Sequence, residues 1–392
     1  MAGLPRAVVV ADDAATPFSG RGHPFPGAPP AMDRLLPVGM SLLERNTLPD
    51  ALTRAGIRQL LAVRLAEEAS PTVEGDADRH AAMVASLRES PVAIETAAAN
   101  EQHYELPATF FRAVLGPRLK YSCAYFPRLG ASTLAEAEDA MLALYVERAG
   151  LVDGMRVADV GCGWGSLCLY IAEHFPACTI TAVSNSTSQR VHIEGVAKRR
   201  GFTNLTVVTA DVSTWAGPPV PVDVLFSIEM LEHMKNYGAL FAKFGSWTTD
   251  AGVAFIHIFL HKAYAYHFET EGASNWMGRH FFSGGTMPSA ALLHYFAGDG
   301  GWTCDRYWAV DGRHYAATSE AWLARMDAAG PAVRAEMVTT YGAAGAVKWT
   351  AYWRTFFLAV AELFAYKGGS EWYVGHYRWT KRRAGAAPAA AT

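Results

Sequence analysis

Glu229, Glu232 and His233 stand at i, i+3 and i+4. On a helical turn that spacing puts two carboxyl groups and an imidazole on one face. They follow the apolar run 222–227, which reads as a β-strand. Two neighbouring carboxylates favour a bound cation and raise each other's pKa, and an imidazole can hold or accept a proton. The chemistry such a triple supports is to bind an amine as its ammonium and remove the proton, exposing a nitrogen lone pair. The plain alternative is a capped turn with solvated charges. Position argues against it, because the carboxyl ends of parallel strands face the ligand crevice of an α/β sheet.

A second set of residues points to a nucleotide-like ligand. The strand-like run 156–160 leads into Gly161, Gly163 and Gly165, and an apolar helical stretch at 167–175 follows. Glycines there permit a tight turn and close ligand approach, with the next helix N-terminus facing the ligand. The spacing GxGxG after Asp159 differs from the dinucleotide fingerprint, and no phosphate-loop lysine follows. Where a ribose-binding acid would end the second strand, the chain has Ser184, Asn185 and Gln189, whose side chains can bond hydroxyls. After the third strand come Asp211 and Val212, placed for an adenine amino group. Together these resemble an S-adenosylmethionine methyltransferase of the Rossmann-like class.

The elements that must position these residues follow from the pattern. Short apolar runs at 156–160, 178–183, 204–209, 222–227 and 252–259 alternate with helical stretches, the signature of a parallel sheet with crossover helices. A further strand at 372–380 completes the sheet. Thr133 and Glu136 form a capping-box pattern opening a helix to Arg148. Upstream, Pro49 and Asp50 start a helix carrying Ile57, Leu61 and Leu65 on one face, and another helix runs from about His80 to Glu89. Residues 1–31, rich in Pro, Gly and Ala, read as a disordered leader, 32–127 as a helical N-terminal region, 128–383 as the catalytic domain, and 384–392 as a disordered tail. Segment 261–282 is long enough to form a lid.

Composition narrows the partners. Lys and Arg number 34 against 37 Asp and Glu, a net charge of −3, without the basic surplus a phosphate-binding protein shows. No run spans a membrane, and no secretory or transit peptide stands out. Five cysteines without paired spacing fit a reduced, cytoplasmic compartment and no metal site. Aromatics reach 12%, with 11 Trp. Most of those in 349–357 should pack in the core, while Trp353 and Phe356 are candidates to line an acceptor pocket for a cationic amine.

The stretches 121–126, 157–166, 182–189, 227–237 and 281–289 resemble the cyclopropane-fatty-acyl-phospholipid synthase superfamily, and within it the coclaurine N-methyltransferase branch. The likeness runs from Leu42 to Phe364. It implies a seven-stranded, mostly parallel sheet with a helical N-terminal region and a helical insertion over the acceptor. It also implies S-adenosyl-L-methionine as cofactor, with Tyr121 and Ser122 at its methionine end. In the amine branch the residues implicated in catalysis match Glu229, Glu232 and His233. In the lipid enzymes a bicarbonate base is held by residues matching Cys123, Glu232, His257 and Tyr315, all present here. Two positions lean toward the amine: Glu229, where lipid-modifying relatives usually have Gly, and Phe259, in place of a smaller residue. The expectation is therefore N-methylation of a small amine, the alternative being methylene or methyl transfer to lipid acyl chains with transient lipid contact. A homodimer is compatible with the sequence and not required by it.

Overall fold

The run Arg156–Val160 becomes a strand because β-branched and small apolar residues fill both faces of a buried parallel sheet. In the computed structural model, which describes residues 38–94, 106–272 and 275–381, this is strand β1. It is followed by helix α5 (Ser166–His174), β2 (Thr179–Ser184), α6 (Thr187–Arg200), β3 (Leu205–Thr209) and β4 (Val222–Ile228). Next come α7 (Tyr237–Trp247) and β5 (Thr248–His261), then β8 (Trp302–Val310) and β9 (Trp372–Lys381). The order across the sheet is β3-β2-β1-β4-β5-β9-β8. β1 to β5 pair in parallel, and β9 runs antiparallel to both β5 and β8. The strand order reverses between β1 and β4, so the ligand crevice of such a sheet opens at their carboxyl ends.

Before β1 lie α1 (Asp50–Glu68), α2 (Val73–Glu89), α3 (Ala108–Val114) and α4 (Leu134–Ala149). The Thr133 side chain accepts from the Glu136 amide while Glu136 accepts from the Thr133 amide, a closed capping box starting α4; such a cap contributes about 1 kcal/mol. Helix α2 begins earlier than the pattern suggested. Its Thr72 cap accepts from the Gly75 amide, and the polar, glycine-containing first turns carry no apolar stripe to announce them. The leader and tail expected at 1–31 and 384–392 lie outside the described residues.

Alternation along the strands divides the core. Val157, Phe226 and Phe255 face Met141, Tyr145 and Ile171 of the helices on one side. Ala158, Leu225 and Ala254 face Leu240, Phe241 and Phe244 of α7 on the other. Beyond β5, the two-residue strands β6 (Tyr266–His267) and β7 (Thr286–Met287) pair, with the short helix α8 (Trp276–His280) between them. Helices α9 (Gly312–Ala328) and α10 (Gly330–Ala365) then precede β9. Arg54 joins α1 to both, at 2.6 Å from Glu320 and 3.0 Å from Glu362.

Candidate active site

The crevice begins where β1 ends. Gly161 has φ +82°, and a Cβ on it would lie 2.6 Å from Met230 Cγ. Gly165 has φ +85° and packs against Ile193, where a Cβ would come within 2.6 Å; it shapes the turn into α5 and is off the crevice wall. One cavity, about 500 Å³, is lined by Tyr121, Ser122, Asp159, Gly161, Gly163 and Gln189, among others. A second, about 760 Å³, is lined by Ser184, Asn185, Gln189, Asp211 and Val212 and reaches His233. Glu229 borders both.

Three buried polar atoms of these lining residues lack partners: Oδ2 of Asp159, Nε2 of Gln189 and Nε1 of Trp164. Burial pushes the Asp159 carboxyl up to about 7. Ser184 donates to Gln189 Oε1 at 2.6 Å, which turns the Gln189 amide nitrogen free as a donor. An orphan acceptor, an orphan donor and a glycine floor suit a ligand with an ammonium at one end and hydroxyls further along. These residues fit S-adenosylmethionine.

The expected helical face does not form. Glu229 has φ +47°, and only Leu231–His233 make a tight 3₁₀ turn. The carboxyl groups therefore part. Glu229 accepts from the Cys123 amide at 2.9 Å and from Tyr315 at 2.5 Å, and its Oε1 lies 2.8 Å from Nε2 of His257. Three of the four residues matched to the bicarbonate site thus converge on the Glu229 carboxyl. The fourth, Glu232, is fully buried and off the crevice wall; its Oε1 accepts from the Phe259 amide at 2.8 Å and its Oε2 has no partner. Burial, then the Glu229 charge, raise its pKa well above the usual carboxylate range, which favours its protonated form. Burial also raises Glu229, opposed first by the charge of Lys120. Cys123 contributes its amide, while its buried thiol, held well above the ordinary value by burial, lies 3.3 Å from the Ala124 carbonyl and offers no thiolate.

His233 is half-buried at the crevice, stacked on Phe282 with centroids 5.1 Å apart. Desolvation lowers its pKa to about 4, which leaves a neutral imidazole. Phe282 continues into Phe259 at 5.7 Å, Phe259 lies 6.3 Å from Phe364, and Phe364 stacks on Tyr315 at 4.3 Å. These rings come from segment 261–282, β5 and two helices, and Tyr315 at the end of the row donates to Glu229. Trp353 and Phe356 are not on the crevice. They are buried beneath, Trp353 against Phe110 at 5.0 Å and Phe356 against Phe281 at 4.6 Å. Helical spacing alone could not tell a crevice-lining ring from a packed one.

Lys120 is a site residue that pattern reading missed. It is buried, donates to Ser122 Oγ at 2.5 Å and lies 5.0 Å from the Tyr145 ring. Burial brings its ammonium down to about 8. The signal was slight, a lysine immediately before Tyr121 in a stretch that also carries Arg118. Among the described residues no cluster of His, Cys, Asp or Glu is placed to hold a metal ion, and no helix is long and apolar enough to cross a membrane.

Sheet order, crevice and glycine turn together define a class I S-adenosylmethionine-dependent methyltransferase. The model of the mycolic acid cyclopropane synthetase family matches residues 93–365, and the chain belongs to that family. The (S)-coclaurine N-methyltransferase of Thalictrum flavum subsp. glaucum is 37% identical over 344 residues, 87% of this chain and 94% of that one. Its counterpart from Papaver somniferum is 36% identical over 343 residues, 87% and 97% of the two chains. A crystal structure of coclaurine N-methyltransferase bound to N-methylheliamine and SAH matches with a TM-score of 0.84 at 36% identity, covering 90% of this chain and 100% of that one. The chain is an S-adenosylmethionine-dependent N-methyltransferase.

Proposed function

We propose that the methyl acceptor is a small amine with an apolar, aromatic or alkaloid-like body, bound as its ammonium against Glu229. The observation that carries this reading is the place of the Glu229 carboxyl, on the border of the two cavities and held by three groups. S-adenosylmethionine, when bound, supplies an electrophilic methyl group on a sulfonium. Tyr121, Ser122, Asp159, Gly161, Gly163 and Gln189 would hold its methionine portion, and Ser184, Asn185, Asp211 and Val212 its nucleoside.

Glu229 does the acid–base work. Its Oε1 is engaged by the Cys123 amide and His257, so Oε2, with Tyr315 alone, has a lone pair for an ammonium N–H. Transfer of that proton to Oε2 frees the nitrogen lone pair for in-line attack. His233, neutral at pH 7, accepts a second ammonium hydrogen bond from across the crevice. Glu232, carrying its own proton, fixes the Phe259 backbone and through it the aromatic wall. Phe282 and Phe259 exclude water and offer ring faces to a cation.

With the Glu229 carboxyl on the Cys123 amide, His257 and Tyr315, a bicarbonate base has no free donors there, which disfavours the lipid reaction. We also assign the enzyme to the cytoplasm, on its five free thiols. Incubation with methyl-labelled S-adenosylmethionine and either an amine panel or phospholipid vesicles with bicarbonate tests the reading. Label on amine nitrogen supports it; label confined to acyl chains overturns it.

A further inference from the structure

The hydrogen bonds behind Glu229 continue through the protein to its far side. His257 Nδ1 lies 2.9 Å from His376 Nε2, and His376 Nδ1 lies 2.7 Å from Arg148 Nη1. The two histidines are opposite one another in the β5–β9 pair and fully buried. Arg148, in the last turn of α4, lies 5.1 Å from the Trp308 ring and opens on a surface crevice shared with Arg306 and Arg378. No part of the amine mechanism uses His376 or Arg148.

The chain of contacts has only one polarity. A guanidinium donates and never accepts, so His376 Nδ1 must present a lone pair and its proton sits on Nε2. That proton faces His257 Nδ1, which must then be bare, so the His257 proton sits on Nε2 and is donated to Glu229. Tyr145, 2.9 Å from the same His257 Nδ1, agrees as a second donor. We infer that Arg148 and His376 are positioning residues that lock His257 as a donor to Glu229, and so hold Glu229 as the anion that binds and deprotonates the amine. This rests on the amine reading above.

Without the guanidinium both rings can flip tautomer together. His257 Nε2 would then present a lone pair to Glu229, and the carboxyl would answer by keeping a proton. The groups facing Glu229 are Lys120, Cys123, Tyr315, His233, Glu232 and His257, and those acting on His376 are Arg148, Tyr145, His257 and the more distant Lys120. Of these only Arg148 is a fixed donor at the outer end of the wire. Loss of its charge alone would move the Glu229 titration but leave the tautomers unchanged, which separates a wire from a field.

The test uses ¹⁵N-histidine-labelled enzyme and the acidic limb of kcat at saturating amine. In the unaltered enzyme, His257 and His376 should both show a protonated Nε2 and a bare Nδ1. In Arg148→Met both should populate the other tautomer, with the acidic limb raised by about one pH unit; Arg148→Lys, still a pure donor, should restore both. A protonated Nδ1 on either ring of the unaltered enzyme overturns the proposal, and so does an unchanged tautomer pattern in Arg148→Met. If Arg148→Met fails to fold, the unaltered spectrum alone decides. If no amine is methylated, the same spectrum still reports the wire, so the two failures are distinguishable.

Discussion

At the scale of the residue, Glu229 takes a left-handed backbone that costs a non-glycine residue about 1–3 kcal/mol and persists only where its surroundings impose it. Here the bond from the Glu229 amide to the His257 carbonyl, 2.9 Å, and the groups around its carboxyl do so. The strain turns Glu229 away from Glu232, and the two acids acquire different partners and different work. Asp159 offers a sharper residue-level test. Its buried Oδ2 has no partner and its carboxyl titrates near 7, so the anion that would take an ammonium exists only above that pH. Calorimetric affinity for S-adenosylhomocysteine should therefore rise as pH increases from 6 to 8. In Asp159→Asn it should be weaker and flat across that range; an equally steep rise in the variant would place the titration elsewhere.

At the scale of the element, α4 ties the site to its surroundings. Glu138, Tyr145 and Arg148 share one face at i, i+7 and i+10. They reach the loop before Tyr121, His257 and His376 respectively. The ends of α4 were legible, since capping box and apolar stripe agree. Its polar cargo was not, because three polar residues on a buried face read as interruptions until their partners are known. Glu138 accepts from the Arg118 amide at 2.8 Å, and burial raises its carboxyl from 4.5 to about 7. For an acid whose folded pKa is raised, stability is full below the unfolded pKa and is lost as pH climbs through the folded one. Urea titrations at pH 5 and 8 should show Glu138→Gln spared about 2 kcal/mol of the loss the unaltered enzyme suffers. An equal loss in both would remove Glu138 from the account. Strand β8 was missed for a related reason: it is a sheet edge with mostly exposed side chains, and its sequence lacks a continuous apolar run.

At the scale of the whole molecule, the central strands and the glycine turn were readable because a doubly covered parallel sheet leaves unbroken apolar runs. The meeting of Ser184, Asn185 and Asp211 on one cavity followed, since they sit at or just beyond strand ends that topology brings together. The acceptor side was readable in composition and not in position. Phe259, Phe282 and Phe364 form a row of rings ending at Tyr315 on the Glu229 carboxyl, while Trp353 and Phe356 pack against Phe110 and Phe281. The fold thus assembles a carboxyl group at the meeting of two cavities, and its action as an anion is the claim on which the amine reading stands. Its most direct test is the turnover of Glu229→Gln with an amine that the unaltered enzyme methylates, at saturating S-adenosylmethionine, beside its affinity for S-adenosylhomocysteine. The account predicts a fall in kcat of about 10²-fold or more with cofactor affinity nearly unchanged. A variant that methylates the amine within a few-fold of the unaltered rate would contradict it.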